Sequence, residues 1–409
     1  MSFEEASYLT VIQSAAAIIS SPIFAKLLNS IGRKPTILII AIPQFIAWIF
    51  IAFGNSLTTL YLGRAITGIS DGAAFTTVPV YIGEILEPRL RGNLGSLLSF
   101  SIYFGQFFIN VIGAYASMKV SALICGIFPI VFFVSFICMP ESPYYLLMRN
   151  KTDAARNSLK RLRMTNNVEE ELIKLTADVQ RQISESNSMK DLFVIDSNRR
   201  AMFIAIGLRV AHQLSGIAAF SVYTQYLFEK SGSNISESIS AIIFTGLQVI
   251  VVCFGPLIVD RFGRRPLMFF SCSGCAVLLT IEAIYFFFNE HTNIDVSYFK
   301  WMPLTGMLLY IIVFGVGFGI VPTLMLSELF SASIKGKAVC CMSLLYHFCI
   351  SVTSKVFQLM ADNLGLFAPF TLFSACCFCS ILFSYYFVPE TKGKSLEEIQ
   401  QCLKNKRIK

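Results

Sequence analysis

Charge is scarce in this chain. Only 14% of its 409 residues are Asp, Glu, Lys or Arg, whereas 55% are hydrophobic and the mean hydropathy is +0.65. A typical soluble domain carries about 25% charged residues. This composition excludes a disordered chain, a nucleic-acid-binding module and a collagen-like or disulfide-scaffold protein. So much apolar surface needs lipid to cover it, and the composition therefore predicts a polytopic membrane protein.

The sequence also lacks the marks of a cofactor-dependent protein or an enzyme. His212 and His347 have no metal-ligand spacing with Cys or acidic residues, and His291 falls in a predicted outer loop. No Walker motif is present, so ATP is not expected to drive the protein. No nucleophile, base and orienting group occur together. We therefore expect no metal, no cofactor and no enzymatic activity.

Eleven apolar stretches are long enough to cross a bilayer as helices, which takes about 20 residues each. None alternates with period two, so the short strands of an outer-membrane barrel are excluded. Helices satisfy their own backbone groups in lipid, and an all-helical membrane protein is predicted. The predicted spans are 8–28, 35–54, 59–82, 94–117, 120–139, 201–228, 238–259, 266–289, 301–326, 338–361 and 366–388.

Basic residues mark one side of the membrane. Of the 33 Lys and Arg residues, 27 fall in alternate connections and after Pro389, whereas the opposite connections hold only Lys119, Lys230 and Lys300. Because cytoplasmic loops carry the excess of Lys and Arg, the richer set and the C-terminus are predicted to be cytoplasmic. The net charge of +8 thus reflects topology, and no nucleic-acid partner is expected.

The same orientation puts residues 1–8 outside. This segment contains Glu4 and Glu5 and no basic residue, so it is not a signal-peptide n-region. An eleven-span chain that begins outside without an export signal favours a twelve-helix protein lacking its first helix. A genuine eleven-span protein is the alternative.

The sequence repeats itself weakly. Within each of the segments 84–91 and 328–335, an acid is followed seven residues later by a base. Two related helical bundles around a midplane site are typical of secondary transporters, whereas pores and receptors need no such repeat. Three pairs of matching segments occur in the same order, namely 29–35 with 260–266, 84–91 with 328–335, and 140–142 with 389–391.

The repeat defines the expected domains. Residues 1–139 form an N-terminal bundle with five helices, 201–389 a C-terminal six-helix bundle, and 390–409 a basic cytoplasmic tail. Residues 140–200 are the one long polar segment between the bundles. Apolar stripes favour a cytoplasmic helical linker there over a disordered one. The stripes consist of Ala155, Leu159 and Leu162, and of Leu172, Leu175, Val179 and Ile183.

Nine motifs follow one another along the whole chain: Gly32-Arg-Lys34, Gly63-Arg64, Pro79-Val-Tyr-Ile-Gly-Glu84, Arg91-Gly92, Pro140-Glu-Ser-Pro143, Gln213-Leu-Ser-Gly216, Asp260-Arg-Phe-Gly-Arg-Arg265, Ser327-Glu328-Leu329 and Pro389-Glu-Thr-Lys-Gly-Lys394. Together they resemble the major facilitator superfamily and, within it, the sugar porter family, most of all insect facilitated trehalose transporters. The resemblance implies two pseudo-repeated helical bundles, twelve helices of which eleven are present here, and a plasma-membrane location.

Charged residues gather at the predicted cytoplasmic ends of the spans. Arginine and carboxylate groups form forked, charge-assisted pairs, and the resemblance implies an intracellular gate built from them. Glu84 with Arg91 is the pair that the repeat favours. Static ion pairs that only follow the positive-inside rule are the alternative. The expected gate residues are Arg33, Lys34, Arg64, Glu84, Arg91, Asp260, Arg264, Arg265, Glu328 and Lys335.

Uncharged amides within the spans are candidates for sugar binding, because each offers donor and acceptor atoms and is costly in lipid without a partner. Gln213 shares one helical face with Arg209 and Phe220. Hydrogen bonding between helices is the alternative. The expected substrate-binding residues, on positions that the resemblance assigns, are Gln106, His212, Gln213, Tyr223, Gln248, Thr323 and Tyr346.

The site departs from the family pattern, since His212 replaces a Gln, Thr323 a Trp and Tyr346 an Asn. The expected function is facilitative transport of a hexose or trehalose-like sugar by alternating access, by a monomer in the lipid bilayer. The alternatives are a non-transporting sugar sensor, a regulatory truncated isoform, or transport of a different solute. A sequon at Asn234 predicts glycosylation on the outer side.

Overall fold

The computed structural model describes residues 3–86, 91–184, 190–230, 235–292, 297–330, 332–392, 398–399 and 401–402. Within these ranges the regular structure is helical, with one 3-10 turn at Ser297–Phe299 and no strand. Eight helical segments of the described part are long and apolar enough to cross a membrane. The all-helical membrane class predicted from the apolar stretches is confirmed.

The first half packs through small residues. α1 lies against α3, and α2 lies against α5. Gly68 and Gly72 of α3 face the backbone of α1 so closely that a Cβ on Gly72 would lie 2.3 Å from the Ala17 carbonyl oxygen. Small residues let helices approach without a side chain between them. The helices of this half are α1 (Phe3–Ser30), α2 (Arg33–Phe53), α3 (Leu57–Ile85), α4 (Arg91–Tyr115) and α5 (Met118–Phe136).

The segment between the halves folds as short helices with a core of its own. Ala155 and Leu159 are buried against Leu172 and Leu147, so the two apolar stripes face each other. This burial is why the segment is helical rather than extended. Its helices are α6 (Pro143–Met148), α7 (Thr152–Arg163), α8 (Glu169–Ser184) and α9 (Asp191–Val194).

The second half contains two spans that the sequence predicts as continuous and the structure breaks. The span 201–228 breaks at Gly216, which has φ +93° and lies under the Phe373 and Phe220 rings. The span 301–326 breaks between Val316 and Val321. The helices are α10 (Asp196–Leu214), α11 (Ile217–Val222), α12 (Thr224–Lys230), α13 (Glu237–Phe262), α14 (Arg264–His291), α15 (Met302–Val316), α16 (Val321–Leu329), α17 (Ala332–Leu364) and α18 (Phe367–Phe387).

The two halves meet through two contacts that the repeat relates. α1 packs against α17, and α4 packs against α13. α1 and α13 each end at a matching Gly-Arg corner, while α4 and α17 each follow a matching Glu at the end of the preceding helix. By the repeat, α1 corresponds to α13 and α4 corresponds to α17. The two contacts between the halves are therefore equivalent.

Candidate functional site

A charged cluster joins the helix ends on the predicted cytoplasmic side of the first half. The Arg33 guanidinium donates to both Glu84 oxygens, with Nη2–Oε1 at 2.7 Å and Nε–Oε2 at 2.9 Å. The Ser142 hydroxyl donates to the same carboxylate at 2.5 Å. Glu141 accepts the backbone N–H groups of Arg33 and Lys34, each at 3.1 Å. A carboxylate at the N-terminus of α2 satisfies N–H groups that have no partner within the helix.

The second half repeats this cluster. The Arg264 guanidinium donates to Glu328 at 2.9 Å, and the Thr391 hydroxyl donates to the same residue at 2.5 Å. Glu390 accepts the backbone N–H groups of Arg264 and Arg265, each at 3.1 Å. Burial alone would raise the pKa of Glu390, but these bonds and a third from the Lys392 N–H lower it below its ordinary value.

In the described part of the structure, both carboxylates pair with arginines from other helices. The expected partner of Glu84 is Arg91, seven residues on, but Arg33 from another helix occupies it. In the second half, Arg264 pairs with Glu328. Each arginine stands at the start of its own helix, Arg33 of α2 and Arg264 of α14, and the folded bundle brings these helix ends into contact with the ends of α3 and α16. The side chains of Arg91, Asp260 and Lys335 lie outside the described part of the structure.

Arg64 does not join the cytoplasmic cluster, which corrects its assignment to the gate. It lies 20 residues from Glu84 on the same helix, a rise of about 30 Å. Its Nη1 donates to Gln13 Oε1 at 3.2 Å, and Gln13 donates to Asp71 at 2.5 Å. These three residues line a first-half cavity of about 1170 Å³ together with Gln106.

A polar cluster lies where the halves meet, and we call Arg209, His212, Gln213, Gln248, Tyr346 and His347 the central cluster. Gln213 is 1% exposed and lies beside the Tyr346 hydroxyl. The Arg209 guanidinium lies 5.2 Å from the Tyr346 ring centroid. Phe75 of α3 contacts Tyr346 and His347, with ring centroids 5.3 and 5.4 Å apart. First-half and second-half helices thus both form this cluster.

Several buried atoms of the central cluster have no hydrogen-bond partner in the structure. They are the Gln213 Oε1, both side-chain polar atoms of Gln248, the His212 Nδ1 and the His347 Nε2. Buried polar atoms without a partner carry a desolvation cost of about 1–3 kcal/mol each. Such atoms at one place between two helical bundles can be satisfied by a polyhydroxylated ligand.

Only part of the expected substrate-binding set is brought together. Four of its members are buried or partly buried near the interface, namely His212, Gln213, Gln248 and Tyr346. Thr323, by contrast, is exposed on α16. α4 directs Tyr103 toward Gln248, lining a narrow space with it, and directs Gln106 into the first-half cavity. Tyr103 was not expected from the sequence, since nothing there shows how α4 is rotated.

Tyr223 closes the other end of the interface. Its ring lies 4.9 Å from the Phe3 ring of α1 and stacks at 5.2 Å on Phe357 of α17. Beside it, the Lys355 ammonium donates to the Ser7 hydroxyl at 3.0 Å and lies 4.0 Å from the Tyr8 ring centroid. The halves are in contact at this predicted outer end. Asn234, the expected glycosylation site, lies outside the described residues.

A helical membrane protein whose related halves meet around unsatisfied polar side chains is built as a secondary transporter. A family model described as sugar (and other) transporter matches residues 4–403. Facilitated trehalose transporters from Bombyx mori and Polypedilum vanderplanki are 33% and 34% identical to the chain, over 98% and 97% of it and 79% of each relative. The chain belongs to this family, and it is a transport protein rather than an enzyme.

Solved structures show the same fold. The proton:xylose symporter XylE bound to 6-bromo-6-deoxy-D-glucose matches with a TM-score of 0.79 at 22% identity, over 97% of this chain and 89% of that one. The inward-open xylose transporter XylE from E. coli matches with a TM-score of 0.78 at 22% identity, over 98% and 90%. The predicted major facilitator fold and the predicted family are confirmed.

Proposed function

We propose that this chain carries a sugar across the membrane by alternating access, with the sugar bound at the central cluster. The observation that carries the proposal is the group of buried, unpartnered atoms on Gln213, Gln248, His212 and His347. Amides and neutral imidazoles offer both donors and acceptors, which suits hydroxyl groups. The relatives named facilitated trehalose transporters support a hexose or trehalose-like sugar as the substrate class.

The contacts between and within the halves support a rocking motion. Arg33–Glu84 and Arg264–Glu328 each join helices of one half, so each half moves as a unit. The outer end is closed by Tyr223 with Phe3 and by Lys355 with Ser7, contacts that link the two halves. When these contacts open, the central cluster becomes accessible from the outside. The two charged clusters then keep the helix ends of each half together while the halves close at the cytoplasmic side.

The remaining gate and site assignments are part of the same proposal. Lys34 and Arg265 contribute backbone N–H groups to the cytoplasmic clusters. Gln106 contributes to the first-half cavity rather than to direct sugar contact. We propose that a single chain is the working unit and that it resides in the plasma membrane, with Asn234 glycosylated on the outer side.

Counterflow in proteoliposomes tests the proposal. Purified protein is reconstituted with unlabelled glucose or trehalose inside, and entry of the labelled sugar is followed. Gln213→Ala is expected to reduce uptake about tenfold, because the sugar hydroxyls lose a buried partner. Gln401→Ala, in the segment beyond the second bundle, serves as the matched control and should transport normally. Unchanged uptake by Gln213→Ala removes the central cluster as the site.

A further inference from the structure

Arg209 is a positive charge in the central cluster for which the proposed transport of a neutral sugar has no use. It lies on α10 one helical turn before Gln213, partly buried at the interface of the halves. In the described part of the chain its guanidinium makes no ion pair with a carboxylate. Its electrostatic neighbours are Tyr346, Cys349 and Tyr103.

Arg64 and Asp71, the charged residues of the first-half cavity, balance each other. Arg64 and Asp71 lie together in the first-half cavity, bridged by the Gln13 amide. Asp71 lies within electrostatic reach of the Tyr346 hydroxyl but does not contact Arg209. Arg209 therefore gives the central cluster a positive charge that no carboxylate of the described residues pairs with. A charge in a membrane interior without a partner is costly and marks a functional site.

The surroundings of Arg209 orient its guanidinium and leave its donors available. The Tyr346 ring lies 5.2 Å beneath it, an arrangement that holds the cation by attraction to the ring face. A guanidinium held on its face keeps its edge free, and that edge presents a fork of N–H donors that matches a carboxylate or a phosphate. Gln213, with its unpartnered Oε1, lies on the same helical face.

We propose that the transported sugar bears an acidic group, a carboxylate or a phosphate, which pairs with Arg209 while its hydroxyl groups reach Gln213 and Gln248. This inference rests on the proposed function and names the substrate class of the same site. One helical turn separates Arg209 from Gln213, so their side chains start about 6 Å apart. That separation suits a single sugar ring with an acidic group at one end.

Competitive binding to the purified full chain tests the proposal. The probes are glucuronate, glucose 6-phosphate, glucose and trehalose. The affinity of each probe is measured by its ability to displace another labelled probe, and its transport is measured by counterflow in proteoliposomes. Arg209→Gln removes the charge and keeps a polar side chain, and Arg209→Lys keeps the charge without the fork. Arg199→Gln is the matched control, because Arg199 is an exposed residue on the same helix that pairs with Asp196. Thermal unfolding of each variant establishes that it is folded.

The expected result is that wild-type protein prefers an anionic probe to glucose and that Arg209→Gln weakens binding of the anionic probe about ten- to a hundredfold, which removes the preference over glucose. The affinity of Arg209→Lys for the anionic probe is expected to lie between those of wild type and Arg209→Gln. Arg199→Gln is expected to bind the anionic probe like wild type. Preference for glucuronate identifies a carboxylate, and preference for glucose 6-phosphate identifies a phosphate. Transport of neutral sugars with no preference for either anion overturns this inference and leaves the proposed function standing. Absence of binding and flux for all four probes overturns the proposed function as well.

Discussion

Arg33 and Glu84 form a forked ion pair in which the side chains are only 4% and 13% exposed. The pair joins α2 to α3, and the Ser142 hydroxyl adds a third donor to the same carboxylate. Ion pairs on a protein surface contribute little because water screens them, whereas removing one partner of a buried pair leaves the other charge uncompensated. This pair therefore holds α2 and α3 together at the predicted cytoplasmic end of the first half.

Glu84→Gln is expected to lower the stability of the protein in detergent by about 1–3 kcal/mol, because the Arg33 guanidinium loses its ionic partner while it stays buried. The measurement is thermal unfolding of the purified protein. Arg156→Gln provides the comparison, since Arg156 pairs with Asp153 and Glu169 on the surface of the linker and should cost less than about 1 kcal/mol. Equal losses in the two variants would contradict the structural importance of the buried pair.

Gly32→Ala is expected to destabilise the first half by about 1–3 kcal/mol. Gly32 has φ +109°, and a Cβ there would lie 2.4 Å from the Glu141 carboxylate that caps α2. A side chain at this φ is strained even before it displaces the carboxylate. Gly83→Ala is the control, because a Cβ at Gly83 meets nothing within 4 Å. Thermal unfolding of both variants checks the prediction, and a neutral Gly32→Ala would refute it.

Lys355→Met is expected to loosen the outer contact between the halves, since it removes the hydrogen bond to Ser7 and the charge over the Tyr8 ring. Hydrogen exchange followed by mass spectrometry should then show faster exchange at the outer ends of α1 and α17. Lys119→Met is the matched control, because its ammonium lies over the Phe53 ring within a single half. If both variants exchange like wild type, Lys355 does not hold the outer end closed.

Glu390 links stability to acidic pH. Its backbone bonds keep its pKa below the ordinary value of 4.5, so the folded state favours the carboxylate. Its contribution is present above pH 4.5 and is lost as the pH falls through the folded pKa. Glu390→Gln should reduce the acid sensitivity of unfolding below pH 4.5, as measured by thermal unfolding between pH 3 and 6, a range chosen around that value. Glu237→Gln, at an exposed carboxylate, should retain the wild-type profile.

The positions of the membrane helices could be read from the sequence because lipid imposes a simple requirement, an apolar run of sufficient length. The breaks in two of them could not. Gly216 interrupts one span where the Phe373 and Phe220 rings pack against its backbone, and Phe373 comes from α18, far along the chain. Apolar composition is the same on both sides of such a break, so it gives no signal.

The partners of charged residues were the second point that the sequence left open. The repeat identified Glu84 and Glu328 as important, but the arginines that pair with them come from the start of other helices. The matching segments 140–142 and 389–391 carried the signal for the remaining members, since their Glu and hydroxyl residues complete both clusters. Contacts between helix ends are set by the folded bundle, so spacing along the chain does not reveal them.

The sequence by itself determined the membrane class, the two related halves and the family, because these depend on composition and on the order of motifs along the chain. The tertiary structure decided which polar residues share a site. It turned Tyr103 rather than Gln106 toward Gln248, and it placed Arg64 in a cavity instead of the gate. Helix rotation and packing set these outcomes, and both depend on contacts between residues far apart in the chain.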